Sequence, residues 1–194
     1  TVEKEYAFTT AETLPDTPVK TMTETYDSAW KDKLLSWDGT AMTYDAIGNM
    51  LTRGGTTYTW TQGRRLSGVE NGKSIKYLYD HTGARVKKTV DNTATEYQWA
   101  GDLLLSEKTD GRIIWYCYDS QANLISVTIR GITYFYVRNV QGDIIALVDA
   151  DGKVIVKYTY DGWGKVVAVT GELADTVGVQ NPFRYKGYYY DNET

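Results

Sequence analysis

One cysteine in 194 residues excludes an internal disulfide. Cys117 is expected to be a small filler, buried or at an interface. A chain without bridges suits the cytosol, or an exported bacterial protein that does without them. Only three prolines occur, so hydrogen-bonded ladders run with few breaks. The single histidine, His81, leaves no Cys/His cluster for zinc. It follows Tyr79-Asp80 and reads as a surface turn residue. No G-x-S-x-G signature places a nucleophile. No apolar run approaches the length of a membrane-spanning helix. The net charge is -4 with both signs interspersed, which argues against a nucleic-acid binder. No signal peptide is visible, and the sequence opens at Thr1 without Met, so it reads as a piece of a longer chain.

What is present is aromatic and periodic. The chain carries 17 Tyr and 6 Trp against 3 Phe. A dyad, Tyr-x-Tyr or Tyr-x-Trp, recurs about every twenty residues. It appears as Tyr58-Thr59-Trp60, Tyr77-Leu78-Tyr79, Tyr97-Gln98-Trp99, Tyr116-Cys117-Tyr118, Tyr134-Phe135-Tyr136 and Tyr158-Thr159-Tyr160. Residues two apart on a strand share a face, so each dyad puts two rings on one side. A unit this short cannot bury its own rings, and stacking with its neighbours must do so.

Turn signals alternate along the chain. Gly54-Gly55, Asn71-Gly72, Asp91-Asn92, Asp110-Gly111, Arg130-Gly131 and Asp151-Gly152 read as compact hairpins, where Gly and Asn supply positive φ. Asp45-x-x-Gly48, Asp80-x-x-Gly83, Asp119-x-x-x-Asn123, Gln141-Gly142 and Asp161-x-x-Gly164 form the other series, together with Gln62-Gly63 and Ala100-Gly101. The β-rich runs between them are 74–79, 85–90, 103–107, 113–118, 124–129, 144–148 and 154–160. An antiparallel meander of about a dozen strands follows, and twist should curl so many into a curved sheet or spiral ribbon. Residues 1–25 read as an irregular lead-in with one strand around 3–9. Repeats fill 26–168, Tyr26 to Asp38 being a degraded copy. Residues 169–194 hold a loop, with a short helical turn in 171–180, and then the densest aromatic cluster.

Tyr44-Asp45-Ala46-Ile47-Gly48-Asn49, Tyr79-Asp80-His81-Thr82-Gly83-Ala84-Arg85, Asn139-Val140-Gln141-Gly142-Asp143 and Tyr158-Thr159-Tyr160-Asp161-Gly162-Trp163-Gly164-Lys165 closely resemble bacterial RHS proteins with YD repeats. Asn181-Pro182-Phe183-Arg184-Tyr185-Lys186-Gly187-Tyr188-Tyr189-Tyr190-Asp191 is similar to the opening of the RHS-repeat-associated core motif. The resemblance covers about residues 26–194. It implies a β-ribbon that spirals into a hollow shell around a C-terminal toxic domain, as in interbacterial and insecticidal toxins, with animal teneurins using a similar barrel. It implies no enzymatic activity for most such cores. In some members a segment beyond the repeats carries aspartate-dependent self-cleavage. Here the sequence stops at Asp191-Asn192-Glu193-Thr194, before that segment. The third repeat also lacks its glycine, and Asn123 is expected to supply the left-handed conformation.

The aspartates after the rings, Asp45, Asp80, Asp119 and Asp161, are read as turn caps through bonds to amides two residues on. Metal binding is the lesser reading, and Asp149-x-Asp151-Gly152 is only a stub of a calcium loop. No catalytic, cofactor-binding or metal-binding residue is assigned, and no cofactor is expected. The structural weight falls on the dyad rings and on Gly48, Gly83, Gly142 and Gly164. The expected function is a non-catalytic part of an RHS/YD shell that encapsulates a C-terminal toxin, in a secreted or cell-surface bacterial protein. The expected partners are the rest of the polypeptide and its toxin, with neither nucleic acid nor a membrane span. Exposed sheet edges would invite homo-oligomers. The alternative is an aromatic-rich module that binds carbohydrate or a cell-surface protein, with Trp60 and Trp99 as its test positions.

Overall fold

The computed structural model describes residues 2–5 and 16–193. The chain divides into two compact units, Thr1–Lys76 and Tyr77–Thr194. In the first, β1 (Val2–Glu5), β2 (Lys20–Tyr26), β3 (Leu34–Trp37), β4 (Thr40–Tyr44), β5 (Met50–Arg53), β6 (Thr56–Thr61), β7 (Arg65–Glu70) and β8 (Ser74–Tyr79) pair antiparallel in chain order, β8 through residues 74–76. In the second, the same meander runs through β9 (Arg85–Val90), β10 (Thr93–Ala100), β11 (Leu103–Thr109), β12 (Arg112–Tyr118), β13 (Leu124–Ile129), β14 (Ile132–Arg138), β15 (Ile144–Val148), β16 (Val154–Tyr160) and β17 (Val166–Thr170). The predicted all-β meander is therefore what the chain adopts. The strand expected around 3–9 is β1 as far as Glu5, and 6–15 lie outside the described residues. The boundaries predicted after residues 25 and 168 fall within β2 and β17. A helical turn, Ala174–Gly178, occupies the stretch where one was expected.

Two kinds of turn link the strands, for two different physical reasons. Three of the tight ones, Gly54-Gly55, Asp110-Gly111 and Arg130-Gly131, hold both central residues at positive φ, whereas at Asn71-Gly72 and Asp91-Asn92 only Gly72 and Asp91 do. The wide ones repeat one hydrogen-bond pattern six times, led by Asp45, Asp80, Asp119, Asn139, Asp149 and Asp161. In each, the Oδ1 atom of the leading side chain accepts the amides two and four residues on, at 2.8–3.1 Å. Turn capping is thus the observed role of the aspartates, and Asn139 does it without a charge. A hydrogen bond from the Thr82 hydroxyl, joined by backbone amides, holds the Asp80 carboxyl below the usual range. For Asp119 the side chain of Asn123 is the largest cause of a similar lowering.

Two expectations need correction here. Asp151-Gly152 is not a compact hairpin but the end of the wide turn led by Asp149. In the glycine-less repeat the left-handed residue is Ala122, at φ 65°, and not Asn123. Asn123 instead donates its amide and its Nδ2 back to the Asp119 carboxylate at 2.8 and 2.9 Å. Alanine costs about 1–2 kcal/mol in this region, partly offset by the entropy that glycine loses on folding. Ala122→Gly is therefore expected to stabilise the protein by about 0.5–1 kcal/mol, read from the urea midpoint. A lower midpoint would show that the turn carries no strain to relieve.

Four of the six predicted dyads, those ending in Trp60, Trp99, Tyr118 and Tyr160, carry a β-bulge at the second ring. Register shifts fall between Thr43 and Tyr44, Thr59 and Trp60, Gln98 and Trp99, Cys117 and Tyr118, Val137 and Arg138, and Thr159 and Tyr160. Each bulge aims the second side chain of its dyad across the hairpin, where the regular pairing stops short. There its polar tip donates to a backbone carbonyl beyond the last pair of that hairpin. Tyr44 bonds to Leu34 O at 2.7 Å, Trp60 to Met50 O at 2.7 Å, Trp99 to Arg85 O at 2.9 Å, Tyr118 to Leu104 O at 3.0 Å and Tyr160 to Ile144 O at 2.6 Å. This explains the preference for Tyr and Trp over Phe, since phenylalanine has no tip to offer. In β14 the equivalent pair is Tyr136 and Arg138, with Arg138 bonded to Leu124 O, so the predicted Tyr134-Tyr136 dyad is displaced by two residues.

The core lies on the ring-bearing face of the second unit. Tyr97, Tyr116, Tyr134 and Tyr158 are buried there among Leu104, Val127, Ile144, Leu147 and Val156. Buried apolar side chains in the first unit are fewer, namely Met22, Met42, Val69 and Ile75 among the described residues. Cys117 points to the other face and is exposed, so of the two places expected for it, buried or at an interface, the buried one fails. Its neighbours Tyr116 and Tyr118 face the core, and strand alternation sends it outward. Gly48, Gly83, Gly142 and Gly164 all sit at positive φ.

Candidate functional site

The densest aromatic segment does not extend the sheet. After the helical turn, residues 181–193 cross the core face of the second unit as a strap. Asn181 has no exposed surface. Its Oδ1 accepts from Tyr136 OH at 2.7 Å, and its Nδ2 donates to Phe183 O at 2.8 Å and to Tyr158 OH at 3.2 Å. Phe183 meets Tyr116 edge-on at 4.9 Å and Tyr189 at 5.8 Å. The buried guanidinium of Arg184 lies 5.7 Å from the Tyr158 ring and 4.5 Å from that of Tyr190. Two backbone bonds fix the middle of the strap, from Ile144 N to Arg184 O and from Lys186 N to the Asp143 carboxylate, at 3.0 and 2.9 Å. The Tyr185 ring then fills the space above Gly164, where a Cβ would stand 2.3 Å from it.

A polar cluster fastens the end of the strap. The Glu107 carboxylate, on β11, accepts Tyr116 OH at 2.9 Å and Tyr189 OH at 2.5 Å. Arg85 lies 4.9 Å from both the Tyr97 and the Tyr189 ring centres and 5.4 Å from that of Tyr77. Its Nη1 pairs with Asp191 at 2.6 Å. Lys88 pairs with Asp191 and with Glu193, both at 2.9 Å. Burial is the largest influence on the Glu107 carboxyl and lifts it above its ordinary range, against the pull of its hydroxyl donors and of Lys88 and Arg85. Burial acts the same way on Asp191, but there Arg85 and Lys88 outweigh it and hold the group low. Burial, with Asp191 nearby, pushes the Tyr77 phenol up to about 12.

The ionisable groups of this cluster are engaged with one another, and with Glu107 only 7% exposed the arrangement is a fastening. A cleft of about 510 Å³ opens beside it, lined by Tyr79, Arg85, Tyr97, Trp99, Asp102 and Tyr189 among others. Of the residues singled out from sequence, Asp45, Asp80, Asp119 and Asp161 remain in their separate turns, and His81 is exposed in one. Among the described residues no group of three or more His, Cys, Asp or Glu side chains could hold a metal ion. No described helix is long and apolar enough to cross a membrane, which says nothing of strands. Sequence reasoning flagged the aromatic strap but missed its partners. The available signal was charge on a core-facing lane, since Glu107 pairs with Tyr97 on one side and Ile114 on the other.

Comparison with known proteins agrees with this architecture. The sequence is 35% identical over 193 residues to a tRNA3(Ser)-specific nuclease WapA of Bacillus spizizenii, covering 95% of this chain and 8% of that protein. The tRNA nuclease WapA of Bacillus subtilis matches with the same identity and coverage. The chain thus spans about a twelfth of the length of these relatives, 8% of each. Among solved structures, the crystal structure of TcdB2-TccC3-TEV superposes with a TM-score of 0.62 at 15% identity, covering 89% of this chain and 11% of that one. The Photorhabdus luminescens Tc holotoxin pore carrying TccC3-D651A gives 0.58 at 15% identity, with the same coverage of both chains. Residues 13–194 match the model of the teneurin YD-shell. With the bulged dyads, the repeated Asp-led turns and a matched span of nearly its whole length, the chain belongs to the teneurin YD-shell family of RHS/YD-repeat proteins.

Proposed function

We propose that this chain is a non-catalytic stretch of wall in a secreted or cell-surface bacterial RHS protein, and that the wall encloses a toxic domain of the same polypeptide. One observation carries the reading. In each dyad both rings lie on one face of the strand; Tyr77, Tyr97, Tyr116, Tyr134 and Tyr158 are buried, and the half-buried Trp60, Trp99, Tyr118 and Tyr160 have tips bonded to carbonyls at the ends of the hairpin ladders. Such side chains set register and exclude water, which is what a wall requires. The indole N–H groups of Trp60 and Trp99 are committed in this way too. Nuclease chemistry, where the whole polypeptide has it, is assigned to residues outside this segment, whose buried carboxylate and cations serve the strap.

The test uses the full-length polypeptide. Limited proteolysis is expected to spare the segment downstream of residue 194 in the wild type. In a variant with a destabilised wall, Leu147→Ala, cleavage should rise roughly tenfold for each 1.4 kcal/mol lost, because access tracks the open population. Leu147 is fully buried, and its truncation should cost about 2–5 kcal/mol. Equal cleavage of the downstream segment in both proteins would overturn enclosure.

A further inference from the structure

We propose that Glu107 is a proton-controlled fastening between strap and sheet, so that the strap docks more tightly as pH falls from neutral to mildly acidic. The geometry is that of a carboxyl shared by two elements. One oxygen takes a hydroxyl from Tyr116 on the sheet and the other a hydroxyl from Tyr189 on the strap. Docking removes this carboxyl from water, which disfavours its ionised form. The inference concerns the strap alone and holds whatever the wall encloses.

The groups facing Glu107 decide the sign. Lys88 and Arg85, from β9, favour the ionised form, but both are also engaged by Asp191, and Lys88 by Glu193 as well. From β10 and β14 come the neutral phenols of Tyr97 and Tyr136, and Tyr116 and Tyr189 touch the carboxylate directly. Burial outweighs the two cations, and the docked carboxyl sits above its ordinary value. The docked state therefore binds the proton more strongly than the undocked state does. That contribution is complete below the ordinary glutamate value and is lost as pH rises through the raised one. Once protonated, Glu107 can donate to either phenol oxygen, since a phenol accepts as well as donates. Asp191 sets the acid limit. Its docked value is lowered, so its contribution is present above the ordinary aspartate value and is lost as pH falls through the lowered one. The tightest docking lies between the two.

The test is amide exchange at Arg184, Tyr188 and Tyr190, whose N–H groups are bonded within the strap. It is run on the 194-residue chain and corrected for intrinsic exchange. Protection is expected to rise as pH falls from about 7.5 to about 5, because the docking equilibrium gains as the docked Glu107 takes up its proton. Glu107→Gln should flatten the rise, whereas Asp191→Asn should loosen the strap and leave the rise in place. Carbon-detected titration of the wild-type Glu107 carboxyl gives an independent reading that needs no variant. A flat wild-type profile, a rise that persists in Glu107→Gln, or a midpoint at or below the ordinary value of about 4.3 would each overturn the inference.

Discussion

Gly171→Ala is expected to cost about 3–5 kcal/mol, enough to leave the second unit partly unfolded at ambient temperature. Gly171 ends β17 at φ 114°, in a region that L side chains rarely adopt. A Cβ built there would stand 2.5 Å from Ile155 O, 3.0 Å from Ile155 C and 3.1 Å from Val156 Cα. All three are backbone atoms of β16, so no side chain can swing away to make room. Moving β16 would also break the bond from Leu173 N to Ile155 O, 3.1 Å long, which starts the turn toward the strap. The control is Gly142→Ala. Gly142 also has positive φ, at 88°, but nothing lies within 4 Å of its Cβ position. It should lose only about 1–2 kcal/mol, the backbone cost alone. Urea unfolding followed by tryptophan fluorescence compares them directly. Equal losses would mean that the close approach of β17's end to β16 is not a constraint.

The contrast between those two glycines marks where sequence reading stops. Local chemistry was legible because it repeats. The runs 74–79, 85–90, 124–129, 144–148 and 154–160 coincide with strands, since β-branched and aromatic residues bounded by Gly and Asp leave little choice. Turn capping by Asp45, Asp80, Asp119 and Asp161 was legible for the same reason. Features that need a neighbour in space were not. Ala122 carries no mark of left-handed backbone, and only its place after Asp119 imposes one. Tyr134-Phe135-Tyr136 looks like a dyad, yet its bulge lies two residues later, because pairing with β15 sets the register. Arg85 and Asp191 are 106 residues apart, and no local pattern joins them. Gly171 resembles any turn glycine until Ile155 is placed beside it.

Asn181→Leu should lower stability by about 3–4 kcal/mol, because it strands polar groups that water cannot reach. Leucine matches asparagine closely enough in size that cavity formation contributes little. What changes is the hydrogen bonding. Tyr136 OH loses its acceptor at 2.7 Å, and Phe183 O loses its donor at 2.8 Å. Tyr158 OH keeps its bond to Gly178 O at 2.9 Å, so it adds less. Two orphaned groups at about 1–3 kcal/mol each give the expected loss. Pairing with Tyr136→Phe separates this cause from simple misfit. If the Tyr136 hydroxyl is stranded by Asn181→Leu, removing it as well should recover about 1–2 kcal/mol, and the double variant should exceed the single one in urea midpoint. No recovery would mean that Asn181 holds the strap through its backbone bond to Val177 O, 2.9 Å long, rather than through its amide. Asn192→Leu, at an exposed position, should shift the midpoint by no more than about 0.5 kcal/mol and sets the baseline.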